Sequence, residues 1–370
     1  MTDDTLRMLR DSAADFATLD AARVRRLRGT DPGFERAVWR EMAEMGWLGV
    51  LIPEEHGGLG LNVAAAAIIL EQLGRALYPE PYSASAVTAT LALLHGDNAG
   101  LKQRLLPRLA AGEIIASLAW QDGRGGLELG QCAVTARELG GALVLDGECR
   151  FVSTPGADGF IVAARSAHGL ELHWIDRDAA GLSCAAEARA DGSASARLKF
   201  AAVAAPAGER VASAASTRTC LQLALDHATL AASAELLGVM DCALEMTLEY
   251  LRTRVQFGKP IGSFQALQHR AVDMYIQKEL TRATLGAAVA VLDQPDCAAE
   301  RRTAVASSAK ARASQAALAI CKEALQMHGA IGYTDEYDLG LYFNRALVLS
   351  AWLGNASAHR SRYAKLVELA

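Results

Sequence analysis

Residues 252–269 read R-T-R-V-Q-F-G-K-P-I-G-S-F-Q-A-L-Q-H. A long alanine- and leucine-rich run stops at Phe257–Gly258, and Pro260 and Gly262 keep a new helix from starting at once. Ser263 is the expected N-cap of the next helix. The stretch predicts two long helices joined by a short turn, with Arg254 and Gln256 at the end of one and Gln265 at the start of the other. Hydrogen-bond donors grouped at helix ends suit a diphosphate or a heterocycle. The same pattern also fits an ordinary helix connection with a solvated arginine.

Outward from this turn the helical period continues. It covers 216–254 on one side and 264–292, 298–329, 335–350 and 355–369 on the other, with Q-P-D-C (294–297) as a further turn. Long helices with short joins predict a four-helix bundle over residues 211–370. Between 113 and 210 the period shortens. A-S-L-A-W, C-A-V-T-A-R, A-L-V-L-D-G, C-R-F-V-S, G-F-I-V-A-A-R, L-E-L-H-W-I and A-R-L-K-F are strand candidates punctuated by Gly and Asp. They predict a small antiparallel β-barrel or sandwich. Residues 1–112 read as a helical domain, with helices at 2–18, 32–46, 63–76, 84–95 and 98–111 and a Pro/Gly loop, I-P-E-E-H-G-G-L-G, at 52–60. The fold class is therefore a multidomain α+β protein: helices, then a β module, then a helical bundle.

Composition narrows the function. Hydrophobic residues make up 51% and aromatic residues 6%, a mix that favours helix packing over an all-β fold. The net charge is −5 with Lys and Arg scattered, which points away from nucleic acid. The start, MTDDTLRMLRDSAADF, has no signal-peptide pattern, and no apolar run is read as a membrane span, so a cytoplasmic protein is expected. Seven cysteines without a C-x-x-C pair, and histidines without metal-ligand spacing, predict neither a metal site nor a disulfide framework.

Three more stretches carry chemistry. In Q-M-H-G-A-I-G-Y-T (326–334), Gly329 and Gly332 end a helix and permit close backbone approach to a ligand. In G-E-C-R-F-V-S-T-P-G-A-D (147–158), Phe151, Val152 and Ser153 put an aromatic ring, an aliphatic group and a hydroxyl at a strand end, suited to a flat ring or to a core. In A-W-L-G-N-A-S-A-H (351–359), a Gly-Asn turn follows a long apolar helix.

Taken together and in this order, these segments resemble the acyl-CoA dehydrogenase family along nearly the whole chain. P-E-E-H-G-G-L-G is similar to the family's N-terminal loop, and G-E-C-R-F-V-S…A-D to its middle-domain signature. R-V-Q-F-G-K-P-I…F-Q…Q-H and Q-x-H-G-x-x-G-Y are similar to the two hallmark segments of its C-terminal bundle. The resemblance implies FAD as cofactor and an acyl-CoA as substrate. Arg254, Gln256, Phe257 and Gln265 are implied at the FAD diphosphate and adenosine. Gln326, Met327, His328, Gly329 and Ala330 are implied to contact FAD across a subunit interface, with Ala330 in place of the usual second glycine. Phe151, Val152 and Ser153 are implied to flank the isoalloxazine.

The family's reaction is α,β-desaturation, in which a glutamate takes the α-proton and the β-hydrogen leaves as hydride. Such a base needs hydrogen-bond reach and a pKa raised by desolvation. By the resemblance the loop 351–359 holds Trp352, Gly354 and Asn355 at family positions, with Asn355 beside the cofactor and Leu353 where the glutamate stands. The alternative base position on the first bundle helix is Ala228. No catalytic residue is implied in this chain. A-W-Q-D (119–122) also replaces the family's T-E-P segment, with Gln121 for Glu and Asp122 for Pro.

Four readings follow. The chain resembles the base-lacking subunit of heteromeric bacterial members acting on sterol side-chain or dicarboxylic acyl-CoAs. Its L-G-N-A-S-A-H-R is similar to the L-F-G-D-A-x-x-H-R loop of such subunits, and a second subunit then supplies the glutamate. It is alternatively a homotetrameric enzyme with a displaced base, Asp226 or, two turns further along, Glu235. It is alternatively a scaffold with a vestigial flavin site, or a flavin-dependent oxidase or monooxygenase. Electron-transferring flavoprotein is the expected electron acceptor.

Overall fold

The computed structural model describes residues 3–368, so the expected helix ends at residues 2 and 369 lie outside the described residues. By contact the chain groups into two compact units. One contains Leu27–Ala66 and Pro79–Ala228; the other contains the segment up to Arg26, Ala67–Tyr78 and everything from Thr229 onward.

The first unit is organised around its sheet. Helices α3 (Arg36–Glu44), α5 (Thr90–Leu94) and α6 (Ala99–Ala110) precede the sheet, and a π-helical stretch Ser83–Ala89 runs directly into α5. Asn98 caps α6, its Oδ1 accepting from the Leu101 amide at 3.1 Å. The strands are β1 (Ala116–Ala119), β2 (Thr135–Leu139), β3 (Ala142–Val152), β4 (Gly159–Ser166), β5 (Gly169–Asp176), β6 (Leu182–Ala188), β7 (Ala194–Ala204) and β8 (Arg210–Ala212). Their order is β6-β7-β3-β2-β4-β5-β8, with β1 attached to β4.

The expectation of a purely antiparallel module needs correction. β1 and β2 both run parallel to β4. Asp158 explains the first pairing, because its Oδ2 accepts the Ile115 amide at 2.8 Å just before β1 while the residue itself leads into β4. Arg36 holds that carboxylate in a two-pronged pair at 2.7 and 3.0 Å. Two expected strands also fuse into β3. The irregularity that hid this is Gly147 (φ 129°), where a Cβ would lie 2.4 Å from the Ala133 carbonyl oxygen. β6 escaped notice because L-S-C-A-A-E-A lacks aromatic and β-branched residues.

The second unit is helical. It includes α1 (Asp3–Phe16), most of α2 (Ala21–Leu27), the later parts of α4 (Val63–Arg75) and α7 (Thr217–Thr253), and α8 (Gln265–Leu292), α9 (Ala299–His328), α10 (Leu339–Ala351) and α11 (Ala356–Glu368). By length and composition α7 is apolar enough to cross a membrane, contrary to the reading from the sequence, but 94% of its apolar window is buried within the protein. It is a core helix, apolar on all sides because it is packed on all sides.

Two glycines let α4 and α7 cross closely. A Cβ at Gly238 would sit 2.0 Å from the Glu71 carbonyl oxygen, and one at Gly74 would sit 2.2 Å from that of Glu235. Ion pairs surround the crossing. Arg282 bridges Glu71 and Asp241 at 2.8 Å each, Arg75 binds Glu245 at 2.7 Å, and Arg345 binds Glu235 at 2.8 Å. The carboxylates of Glu71, Glu235 and Asp241 are buried, so each needs its cation: removing one partner of such a pair costs about 3–5 kcal/mol.

Candidate functional site

The turn between α7 and α8 is a small hairpin, β9 (Val255–Gln256) with β10 (Lys259–Pro260), followed by a tight turn at Ile261–Ser263. Ser263 does not cap α8 as expected. Phe264 holds that position, and the Ser263 hydroxyl instead donates to the Pro260 carbonyl at 2.8 Å. The hairpin presents Phe257 almost fully to solvent, 91% exposed with φ 54°. Arg254, Gln256 and Gln265 are exposed, and their side chains have no hydrogen-bond or ion-pair partner among the described residues. Lys259 lies 4.4 Å over the Phe264 ring.

The end of α9 packs on the end of α7. The His328 ring stacks on Tyr250 at 4.4 Å; Nδ1 bonds the Ala324 carbonyl at 2.7 Å and Nε2 faces the Tyr337 hydroxyl at 3.1 Å. Burial lowers the His328 pKa, so the ring is neutral, donating from Nδ1 and accepting at Nε2. The side chains of His328 and Met327 are both buried and serve packing, which leaves only their backbone for the expected cofactor contact. Gln326, Gly329 and Ala330 remain exposed. Gly329, at φ 67° and ψ −141°, is in a conformation suited only to glycine, and nothing lies within 4 Å of where its Cβ would be. Tyr250 and Tyr337 were not singled out from the sequence, because nothing local marks a tyrosine that will stack on a histidine far along the chain.

In the first unit the end of β3 turns its residues alternately. Val152 is buried, which removes it from the ligand-facing set, whereas Phe151 is 37% exposed and the Ser153 hydroxyl has no partner among the described residues. Phe151 has φ 58° and leaves little room at Gly125, where a Cβ would lie 3.1 Å from its ring. Arg150 sits 5.3 Å over the same ring and pairs with Glu187 at 2.7 Å. The Q-D replacement builds its own loop. Gln121 Nε2 donates to the Gly126 carbonyl at 3.1 Å, and Asp122 accepts from the Arg124 amide and guanidinium at 2.9 and 2.8 Å. The Arg124 bond lowers the Asp122 pKa. Ala228 is fully buried. So is Asp226, whose Oδ1 accepts from Gln222 at 2.7 Å.

The stretch 351–359 is a formed turn. α10 ends at Ala351, and Trp352 (φ −62°, ψ 134°) with Leu353 (φ 58°) makes a type II corner closed by the Gly354 amide donating to the Ala351 carbonyl at 3.1 Å. The second corner position normally takes glycine, and holding a leucine there costs about 1–2 kcal/mol. Leu353 is 5% exposed. Asn355 Oδ1 accepts the Ala358 amide at 3.0 Å, so this atom, expected at the cofactor, caps α11. His359 is fully buried, and its Nε2 meets the Leu353 carbonyl at 2.8 Å.

Comparison with known proteins identifies this architecture. Residues 3–113 match the acyl-CoA dehydrogenase N-terminal domain and residues 218–367 the acyl-CoA dehydrogenase C-terminal domain. The chain is 33% identical to the acyl-CoA dehydrogenase IpdE2 of Mycobacterium tuberculosis over 92% of its own length and 90% of that protein. The chain belongs to the acyl-CoA dehydrogenase family. Among solved structures, it is similar to a variant of the Tcur3481-Tcur3483 steroid ACAD, at 30% identity and TM-score 0.88 over 99% of this chain and 98% of that one. It is also similar to the ChsE4-ChsE5 complex from Mycobacterium tuberculosis, at 27% identity and TM-score 0.89 over 100% and 99% of the two chains.

The cofactor of acyl-CoA dehydrogenases is FAD, and the residues present fit it. Arg254, Gln256 and Gln265 are uncommitted polar groups suited to a diphosphate and a purine. Gly329 leaves backbone open to approach, and Phe151 with Ser153 offers an aromatic face beside a free hydroxyl.

Proposed function

We propose that this acyl-CoA dehydrogenase is the base-lacking chain of a two-chain enzyme that introduces an α,β double bond into a CoA thioester. The observation that carries the reading is Leu353. The turn at which the family presents its glutamate presents an alkyl group here, and an alkyl group cannot accept the α-proton. The alternative position holds only the methyl of Ala228. Neighbouring carboxylates have other work: Asp226 accepts from Gln222, and Glu235 is bound by Arg345 at 2.8 Å in the helix-crossing network. The second chain then supplies the glutamate.

FAD, when bound, supplies the acceptor for the β-hydrogen. Each unit carries its own part of that role: Arg254 and Gln265 for the diphosphate and adenosine and Leu353 as an apolar wall for the acyl group in one, Phe151 and Ser153 for the flavin ring in the other. A partner surface supports the reading. Val272, Tyr275, Ile276 and Leu280 form an exposed apolar stripe on α8, each 44–54% exposed in the single chain. The similar steroid ACAD supports a steroid-derived acyl-CoA as substrate class, and the ChsE4-ChsE5 complex supports a second chain; the family resemblance adds electron-transferring flavoprotein as acceptor.

The test is to purify the chain alone and together with a glutamate-bearing acyl-CoA dehydrogenase subunit, and to follow the flavin band on anaerobic addition of acyl-CoA. Bleaching only in the mixed assembly is expected. Bleaching by the single chain, abolished by Asp226→Asn, would transfer the activity to a displaced base and sink the two-chain reading.

A further inference from the structure

The least economical feature of the 351–355 loop is a leucine at a left-handed corner when Gly354 stands one residue later. Such a conformation persists only where its surroundings over-determine it. Two buried side chains do so here. Lys310, on α9, is 0% exposed, and its Nζ donates to the carbonyl of Leu349 at 2.6 Å, to Ser314 Oγ at 3.1 Å and to the carbonyls of Ser350 and Gly354 at 3.4 Å. The Leu349 and Ser350 carbonyls belong to the last turn of α10, which has no further helix amides to satisfy it. His359, on α11, donates from Nε2 to the Leu353 carbonyl at 2.8 Å. Its Nδ1 is buried without a partner among the described residues, which fixes the neutral tautomer with the proton on Nε2.

We infer that Lys310 and His359 form a two-point clamp that holds the turn from both ends and forces residue 353 into its left-handed corner. They are positioning residues for whatever side chain stands at 353. The catalytic meaning of the clamp rests on the reading above, in which residue 353 walls the acyl site; its mechanics do not.

The electrostatics are consistent with a clamp rather than an ion pair. Among the described residues no carboxylate accepts from Nζ. The groups facing it are Ser314 on its own helix, the carbonyls of α10 and the turn, and from α11 His359, with Arg362 acting on the same histidine. The negative pole of α10 is therefore the counter-charge. Burial pushes the Lys310 ammonium down to about 7. Burial, with the Lys310 and Arg362 charges adding to it, holds His359 down at about 4. Opening the turn frees the lysine to take up a proton while the histidine stays neutral, so the clamp tightens as pH rises through and above 7.

The experiment is amide hydrogen exchange of the full chain, read at Gly354 and across 349–359. Lys310→Met keeps the length and removes every donor. It is expected to speed exchange of these amides by about tenfold or more. Leu353→Gly relieves the corner, so adding it to Lys310→Met should restore most of the protection, whereas alone it should change little. A lysine that merely filled the core would not be rescued by a glycine at 353. His359→Gln, which retains a donor, should preserve protection better than His359→Phe. In the unmodified chain, exchange at Gly354 corrected for intrinsic rate should fall as pH rises above about 7, which keeps the idea testable even if the lysine variant does not fold. Unchanged exchange in Lys310→Met, no rescue by Leu353→Gly, or a pH-independent Gly354 amide would each overturn the clamp. If the exchange results hold but the variants leave KM for acyl-CoA and kcat of the mixed assembly unchanged, the clamp stands and the acyl-site placement of residue 353 falls.

Discussion

Replacing Lys310 by methionine changes how the stability of the whole chain depends on pH. The lysine is fully buried, and its pKa drops from 10.5 to about 7 on folding. Between those values the unfolded chain binds a proton at this site that the folded chain does not, so this group makes stability rise with pH. Its contribution is fully present above 10.5 and is lost as pH falls through 7. The span, 10.5 − 7 = 3.5 units at about 1.36 kcal/mol each, amounts to about 5 kcal/mol. That figure is a ceiling, because the oxygens around Nζ and the negative pole of α10 favour the charged form. The assay is the urea midpoint of both proteins at a series of pH values from about 6.5 to about 9.5, with FAD in excess so that ligand linkage is equal. Subtracting one curve from the other cancels every titration they share. The wild type should gain on the variant by about 1 kcal/mol per pH unit. A difference that stays flat would refute the argument, because it would mean that Nζ keeps its aqueous affinity for the proton in the folded chain.

Gly238→Ala should lower stability by about 3 kcal/mol, since its Cβ would meet the Glu71 carbonyl oxygen at 2.0 Å; Gly286→Ala, exposed on α8 with nothing within 4 Å, should raise it by about 0.5–1 kcal/mol. Thermal melts of the two variants side by side check both. Leu353→Glu should give the single FAD-loaded chain an acyl-CoA-dependent flavin bleach that the wild type lacks. The new carboxyl, buried like the leucine, would have a raised pKa, so its stability penalty should grow as pH rises. Arg254→Gln should weaken FAD retention by about tenfold, measured by flavin content after dialysis, with little change in melting of the apoprotein.

Much of the layout was legible because it is written locally. Helical periodicity placed α4 and α6–α11 within a few residues, and Gly and Pro marked the turn at Phe257–Pro260. The strands were found where Val, Ile and Phe alternate and were missed at β6, where alanines carry no such signal. The parallel pairing of β1 with β4 was out of reach, since it depends on Asp158 meeting Ile115 and Arg36, residues brought together only by folding. The candidate site divided in the same way. Arg254, Gln256, Phe257, Gln265, Gln326, Gly329, Ala330, Phe151 and Ser153 are at least partly exposed, whereas Val152, Met327 and His328 are turned into the protein. A one-residue step reverses a side chain's direction on a strand and turns it by about 100° on a helix, and a motif does not say which face the core will take. Lys310 did leave a trace: Ser307, Lys310 and Ser314 repeat at helical spacing in an alanine-rich run, a polar line on a face that proves buried.

Residue type and spacing along the chain were enough to establish the order of helices, strands and helices, the family, and the alkyl side chains of Ala228 and Leu353. The left-handed corner at Leu353, the hold of Lys310 and His359 on it, and the core position of α7 emerge only in three dimensions. Those facts depend on which distant carbonyls and apolar faces come within contact distance. Desolvation and hydrogen-bond satisfaction then act on groups whose separation in sequence carries no information about their separation in space.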